Sequence, residues 1–308
     1  MDKQITNTIL MIEPVAFGFN EQTAVNNHFQ QKDNSEGLDI QSHAHAEFRE
    51  MVDKLRANGI DVIVVQDTLE PFTPDSIFPN NWISFHEDGR VAIYPMFAEN
   101  RRAERRSDIL DMLTNNDFKI LDIVDYTFWE RENRFLEGTG SMILDRQYKI
   151  AYAALSERTD KDLFLQFCKD FDYKPVCFSS NNTVTGKSFP IYHTNIMMSV
   201  AEQYAIICLD AIDNANERKT VIDSITKTGK EIIEISEEQM KCFAGNMLQV
   251  ENREGKRFVV MSQSAFDSLT EKQNQRLTFY NEIITVAIPI IEKYGGGSAR
   301  CMMAEVFN

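Results

Sequence analysis

The chain has 308 residues, 43% of them hydrophobic and 26% charged, a composition that excludes a disordered polypeptide and provides for a sizeable core. Its formal charge of −15 excludes a general phosphate-backbone binder, because such surfaces need clustered cations to displace counterions. The first apolar run, Ile9 to Ile12, is too short for a signal-peptide core or a membrane span, so the expected location is cytoplasmic, with neither nucleic acid nor membrane as partner.

From the N-terminus, Thr8 to Glu13 is an apolar strand, and Asn26 to Ile40 is polar enough for a flexible loop that could act as a flap. Ala44 to Asn58 has helical spacing, with Phe48, Met51, Val52 and Leu55 on one face and Asn58-Gly59 as its stop. Val62 to Val65 follows as a strand. Trp82 to Tyr94 then reads as a hairpin turning at Asp88-Gly89. The same unit recurs at Met142 to Ala153, at Ile196 to Leu209 and at Met247 to Met261, and the chain ends in a strand from Cys301 to Phe307. Between these hairpins lie predicted helices at Arg102 to Asn115, Lys161 to Phe171, Ala215 to Thr228 and Thr270 to Tyr280. Each is followed by a short strand, at Ile120 to Val124, Pro175 to Phe178, Glu231 to Ile235 and Thr285 to Ile288.

Successive units start at 82, 142, 196, 247 and 301, a period of about 55 residues. Pairing the first strand with the last would close the units into a ring and remove the open sheet edge at that seam. The expectation is therefore an α/β fold, a closed propeller of five units forming a single domain over 1–308, with an ordinary irregular α/β sheet as the alternative.

In such a ring the residues just before each hairpin share one end of the axis. They are Asn80-Asn81, Glu137-Gly138-Thr139-Gly140, His193-Thr194-Asn195, Gly245-Asn246 and Gly295 to Arg300 leading into Cys301. A thiol, an imidazole and a carboxylate thus fall in one register. Thiol catalysis needs these groups, since the thiolate attacks, a histidine moves protons and a carboxylate holds charge. The glycine run before Cys301 also lets a ligand approach the backbone closely.

The five cysteines, Cys168, Cys177, Cys208, Cys242 and Cys301, contain no C-x-x-C pair and are odd in number, so they are expected to be free thiols, with all but Cys301 as buried apolar filler. Taken singly, Cys301 could also be core, His193 a strand-edge histidine and Glu137 a surface charge. His43-x-His45 lies in a helical pattern where i and i+2 residues face apart, so no metal is expected there.

The same residues resemble the guanidine-modifying, or pentein, superfamily of arginine deiminases, dimethylarginine hydrolases and amidinotransferases. The likeness spans essentially the whole chain. It is carried by Asp75-Ser-Ile-Phe-Pro-Asn-Asn81-Trp82, Asn100-Arg-Arg102, Glu137-Gly-Thr-Gly, Ser156-Glu-Arg158-Thr, His193-Thr-Asn195 and Gly-Gly-Gly-Ser-Ala-Arg-Cys301. The resemblance implies a five-bladed propeller of ββαβ units, with Cys301 as nucleophile, His193 as general acid and base, and Glu137 gripping a substrate nitrogen. It further implies that Asp75 is a polar substrate contact and that Arg102, or its neighbour Arg101, and Arg158 bind a substrate α-carboxylate, for which a guanidinium fork is suited. It implies no organic cofactor and leaves open a homo-oligomer.

Deiminases place Asp where this chain has Asn81, and usually Asp where it has Asn195. Two neutral amides suit an uncharged ureido group better than a guanidinium. The specific expectation is therefore citrulline hydrolysis to ornithine, carbon dioxide and ammonia through an S-carbamoyl enzyme, resembling the citrulline ureidase branch. Alternatives are a deiminase or dimethylarginine hydrolase with Glu137 and Asp75 supplying the charge, an amidinotransferase, or a non-catalytic ligand-binding propeller.

Overall fold

The computed structural model describes residues 2–32, 39–184 and 187–307. Strands β1 (Thr8–Glu13) and β2 (Asp61–Gln66) flank the helix Ile40–Ala57. That helix starts where the Asp39 side chain accepts from the Ser42 N–H and buries Ala44, Phe48, Met51, Val52 and Leu55. The next unit is β3 (Ile83–Phe85), β4 (Arg90–Ile93) and β5 (Asp122–Asp125), followed by β6 (Ile143–Asp145), β7 (Ile150–Ala154) and β8 (Lys174–Phe178). A separate hairpin, β9 (Asn181–Val184) and β10 (Lys187–Pro190), precedes β11 (Met198–Val200), β12 (Tyr204–Ile207) and β13 (Glu231–Glu234). Last come β14 (Leu248–Glu251), β15 (Arg257–Ser262), β16 (Glu282–Val286) and β17 (Ala304–Val306).

Five three-stranded sheets share one plan: β3-β4-β5, β6-β7-β8, β11-β12-β13, β14-β15-β16 and β17-β1-β2. In each, the first pair is antiparallel and the third strand runs parallel to the second. The parallel pairing requires a crossover, which is why a helix intervenes every time. At the seam the first and last strands do pair, with Thr8 opposite Val306, Ile9 opposite Glu305 and Leu10 opposite Ala304.

Among the described residues the five sheets are not hydrogen-bonded into one closed sheet and remain separate. Their inner strands are short and buried, and neighbours meet side by side, β17 against β3 and β11 against β6 and β14. The outer strands face solvent, as at β5 with Asp122 and Asp125 exposed, and edge charges of this kind discourage further pairing.

Several expected boundaries shift. The helix placed at Arg102 to Asn115 is broken into Glu99–Arg102 and Ser107–Asn115, and the strand placed at Thr285 to Ile288 is β16, three residues earlier. Cys301 does not open a strand but sits in the one-turn helix Ala299–Met302. Of the loop expected at Asn26 to Ile40, residues 33–38 lie outside the described residues. No helix among the described residues is long and apolar enough to cross a membrane.

Each sheet is entered through a buried turn. Short helices Pro79–Asn81, Gly138–Ser141, Thr194–Ile196 and Ala299–Met302 precede β3, β6, β11 and β17, and a turn ending at Gly245-Asn246 precedes β14. Pro79–Asn81 touches Gly138–Ser141 and Ala299–Met302, and Gly138–Ser141 touches Thr194–Ile196, all of them buried. The shared register of the sequence thus becomes a shared place.

Candidate active site

Two glycines let the turns meet. Gly138 has φ of +48°, and a Cβ there would stand 2.3 Å from the Asn80 carbonyl oxygen. A Cβ on Gly140 would stand 2.4 Å from Asn81 Nδ2 and 2.8 Å from His193 Nδ1. The bare backbone at 138–140 therefore allows Glu137, on the turn before β6, to reach His193, on the turn before β11.

His193 Nε2 and Glu137 Oε2 are 2.7 Å apart, both side chains buried. The other carboxylate oxygen accepts from the Phe97 N–H at 2.9 Å. Arg158 Nη1 lies 3.5 Å and Arg101 Nη1 4.0 Å from Glu137 Oε2. Burial alone would raise the Glu137 pKa, but Arg158, the His193 hydrogen bond and Arg101 together hold it well below the usual carboxylate range. Burial lowers His193 to about 4, with Glu137 pulling against it. The pair is therefore a carboxylate and a neutral imidazole whose Nδ1 faces the space beside Gly140.

Cys301 is buried, and its Sγ is approached by two amide donors, Asn195 Nδ2 at 3.3 Å and Asn246 Nδ2 at 3.2 Å. Asp75 accepts at Oδ2 from Asn20 Nδ2 at 2.7 Å and from Thr23 Oγ1 at 3.1 Å. Its Oδ1, like Asn195 Oδ1, is buried without a partner among the described residues. Burial pushes the Asp75 carboxyl up, opposed by Arg101.

The two arginine expectations fare differently. Arg158 lines the site, stacked with its guanidinium 4.9 Å from the Tyr192 ring centre, and donates to Asn26 Oδ1 and the Thr23 carbonyl, each at 2.8 Å. Arg102 turns away, donating to the Met96 carbonyl at 3.1 Å and lying 3.5 Å from Glu130. Its neighbour Arg101 faces the site instead, because the one-turn helix Glu99–Arg102 sends adjacent side chains in different directions. Arg101 is forked onto Glu104 at 2.8 and 2.9 Å and donates to Asn81 Oδ1 at 2.8 Å. Burial pushes the Glu104 carboxyl up to about 7, with Arg101 pulling it down; both its oxygens face N–H donors, the geometry of a carboxylate.

Asn81 therefore spends its carbonyl on Arg101, and Asn195 spends its amide N–H on the thiol. Asn246, Asn20, Thr23 and Glu104 were not singled out as site residues from the sequence. Asn246 stood in the common register; the others carried no signal there. Cys242, expected to be buried filler, is exposed just beyond the short helix Glu237–Lys241, beside the exposed Lys241.

Asp75, Asn81, Arg101, Arg158, His193 and Cys301 enclose a cavity of about 10 Å³, the room of roughly one water. The segment from Asn20 to Gln30 covers it, tied to Asp75, to Arg158, and through Asn27 and Gln30 to the carbonyls of Gly295 and Tyr294. An amino acid can enter only when that segment withdraws.

Replacing Gly140 by alanine drives a methyl group between Asn81 and His193 while leaving the surrounding core intact. We expect kcat to fall by about 100-fold, the usual cost of displacing a reacting group by about 1 Å, with circular dichroism unchanged; equal activity would show that the space is not used.

A family model described as N,N dimethylarginine dimethylhydrolase, eukaryotic, matches residues 13–308. No curated protein matches the chain. Among solved structures, ArgZ, an arginine dihydrolase from the ornithine-ammonia cycle in cyanobacteria, superposes with a TM-score of 0.75 at 16% identity over 98% of this chain, which spans 40% of that protein. Its N-terminal domain alone, a cysteine-to-serine mutant bound to substrate, gives a TM-score of 0.73 at 16% identity with 98% of each chain covered. A dimethylarginine dimethylaminohydrolase carrying an adduct with S-methyl-L-thiocitrulline gives 0.64 at 13% identity, covering 99% of this chain and 100% of that one. At these identities the superpositions establish a common α/β fold with pentein structures.

Proposed function

Because the chain belongs to the N,N dimethylarginine dimethylhydrolase family, whose members are hydrolases acting on guanidino C–N bonds, we propose that it hydrolyses the guanidino group of an arginine-type amino acid through Cys301. The observation that carries this reading is the meeting of Cys301, His193 and Asp75 around one small cavity, with Glu137 hydrogen-bonded to His193. A structural neighbour agrees, being an arginine dihydrolase solved as a cysteine mutant bound to substrate. The five like sheets support a five-bladed propeller forming a single catalytic domain.

Charge favours a guanidinium over the citrulline expected from Asn81 and Asn195. Glu137 is held as an anion, and Asp75 has a buried oxygen with no donor among the described residues. An arginine-type guanidinium carries up to five N–H donors and positive charge, which is what such oxygens lack. The two asparagines are engaged by Arg101 and by the thiol, so their neutrality does not set the charge of the pocket.

In this mechanism the Cys301 thiolate forms a C–S bond to the guanidino carbon. The proton released by the thiol passes through His193 to the departing nitrogen, and the C–N bond breaks to leave an S-alkylthiouronium enzyme and a free amine. Water then loses a proton to His193 and attacks the same carbon. The C–S bond breaks as the hydroxyl proton passes to the departing sulfur, giving the ureido product and the Cys301 thiol, and the proton on His193 is lost to solvent. Glu137 orients the imidazole and offsets its charge; Arg158 and Arg101 are placed to meet a substrate carboxylate once the covering segment has withdrawn.

The test is a substrate panel of arginine, mono- and dimethylated arginines, agmatine and citrulline, with amine, citrulline and ornithine quantified together. Citrulline from arginine or a methylated arginine is expected. Ornithine from citrulline alone would restore the ureido specificity, and no product from any of them would overturn the hydrolase reading.

A further inference from the structure

We propose that Asn246 is a further catalytic residue, whose side-chain amide, together with that of Asn195, steadies the Cys301 thiolate by direct N–H donation to sulfur. The proposal rests on the reading of Cys301 as nucleophile and adds the group that makes its thiolate available.

Asn246 is fully buried on the turn that enters β14. Its Nδ2 lies 3.2 Å from Cys301 Sγ and 2.9 Å from the Asn195 carbonyl oxygen. Its Oδ1 accepts from the Arg300 N–H at 3.0 Å. The amide cannot turn over without losing these bonds, so an N–H is fixed toward the sulfur. One side chain thus joins the nucleophile, the backbone one residue before it and the turn that bears His193 and Asn195.

A neutral thiol is a weak acceptor, whereas an anionic sulfur strengthens every N–H bond it receives. Two donors aimed at sulfur therefore favour the ionised form selectively. The cations around the thiol make their hydrogen bonds to other groups. Arg300 directs its guanidinium to Glu305 and the Met303 carbonyl, Arg158 and the His193–Glu137 pair are committed to one another, and Asp75 on the facing wall brings a carboxyl rather than a cation. The amides supply donation without placing a competing cation where a guanidinium must sit.

The experiment is the pH dependence of iodoacetamide alkylation at Cys301 in the full chain, followed by peptide mass so that the exposed Cys242 is counted separately. Asn246→Ala removes the donor; Asn246→Asp keeps the acceptor for the Arg300 N–H and the shape, but sets a carboxylate against sulfur. We expect the apparent ionisation of Cys301 to rise by about one pH unit in the first, a tenfold loss of thiolate at neutral pH, and by more in the second. In the substrate assay kcat should fall at least about tenfold with KM within about threefold. Unchanged Cys301 ionisation in both folded variants would overturn the proposal. Failure of wild-type Cys301 to react ahead of Cys242 would instead sink the nucleophile assignment on which it rests.

Discussion

Cys301→Ser should leave a folded protein whose turnover of arginine-type substrates has fallen by at least about 10⁴-fold. The substitution swaps sulfur for oxygen at a position that is 3% exposed, so the packing around Phe78 and the glycine run changes little and the melting temperature should move by only a few degrees. The chemistry changes far more. A hydroxyl ionises many units above a thiol, and the local groups are built for sulfur: two amide donors at 3.2 and 3.3 Å and an imidazole that burial keeps neutral. His193, which burial keeps a weak base, would have to activate a nucleophile far less acidic than the thiol. Acid-quenched wild-type enzyme should carry the mass of an amidino adduct on the Cys301 peptide, and the serine variant should carry none. Near-normal activity in the variant would remove Cys301 from the mechanism.

The sequence made the repeat legible because burial on a sheet and on a helix leave different periods, and both recur at about 55 residues. The register put Glu137, His193 and Cys301 together, since equivalent turns of like units fall at one end of the assembly. What stayed hidden depends on direction within a turn. Arg101 and Arg102 are adjacent, and no pattern says which points inward; the answer comes from Glu104, three residues on, which captures Arg101. Asn81 and Asn195 were legible as neutral residues, but their partners were not, and the partners decide what each amide offers. The hairpin of β9 and β10 was missed because Asn181–Pro190 is polar and carries no alternating apolar face. The pairing of first and last strands was legible at the seam, but a strand pattern specifies pairing within a unit and says nothing of how short inner strands of neighbouring units meet.

Glu137→Gln should damage both catalysis and stability, which separates it from Cys301→Ser. Glutamine preserves the shape and can still accept from the Phe97 N–H, but it sets an amide against His193 Nε2 and withdraws the negative charge facing Arg158 and Arg101. Arg101 keeps Glu104, whereas Arg158 is left with the neutral oxygens of Asn26 and Thr23. Removing one partner of a buried ion pair costs about 3–5 kcal/mol, readable as a lower urea midpoint with an unchanged slope. Loss of the group that orients the imidazole and offsets its charge should lower kcat by about 10²–10⁴-fold. The sign of the pH dependence follows from the same network. Glu137 has a folded pKa held below its ordinary 4.5, so its stabilising contribution is complete above that value and is lost as pH falls toward the folded pKa. The stability gap between wild type and Glu137→Gln should therefore be full at pH 7 and narrow progressively below about 4.5. A gap that stayed constant through acid pH would mean that the lost stability came from packing, and that the carboxylate is not the charge that holds His193 and Arg158 in place.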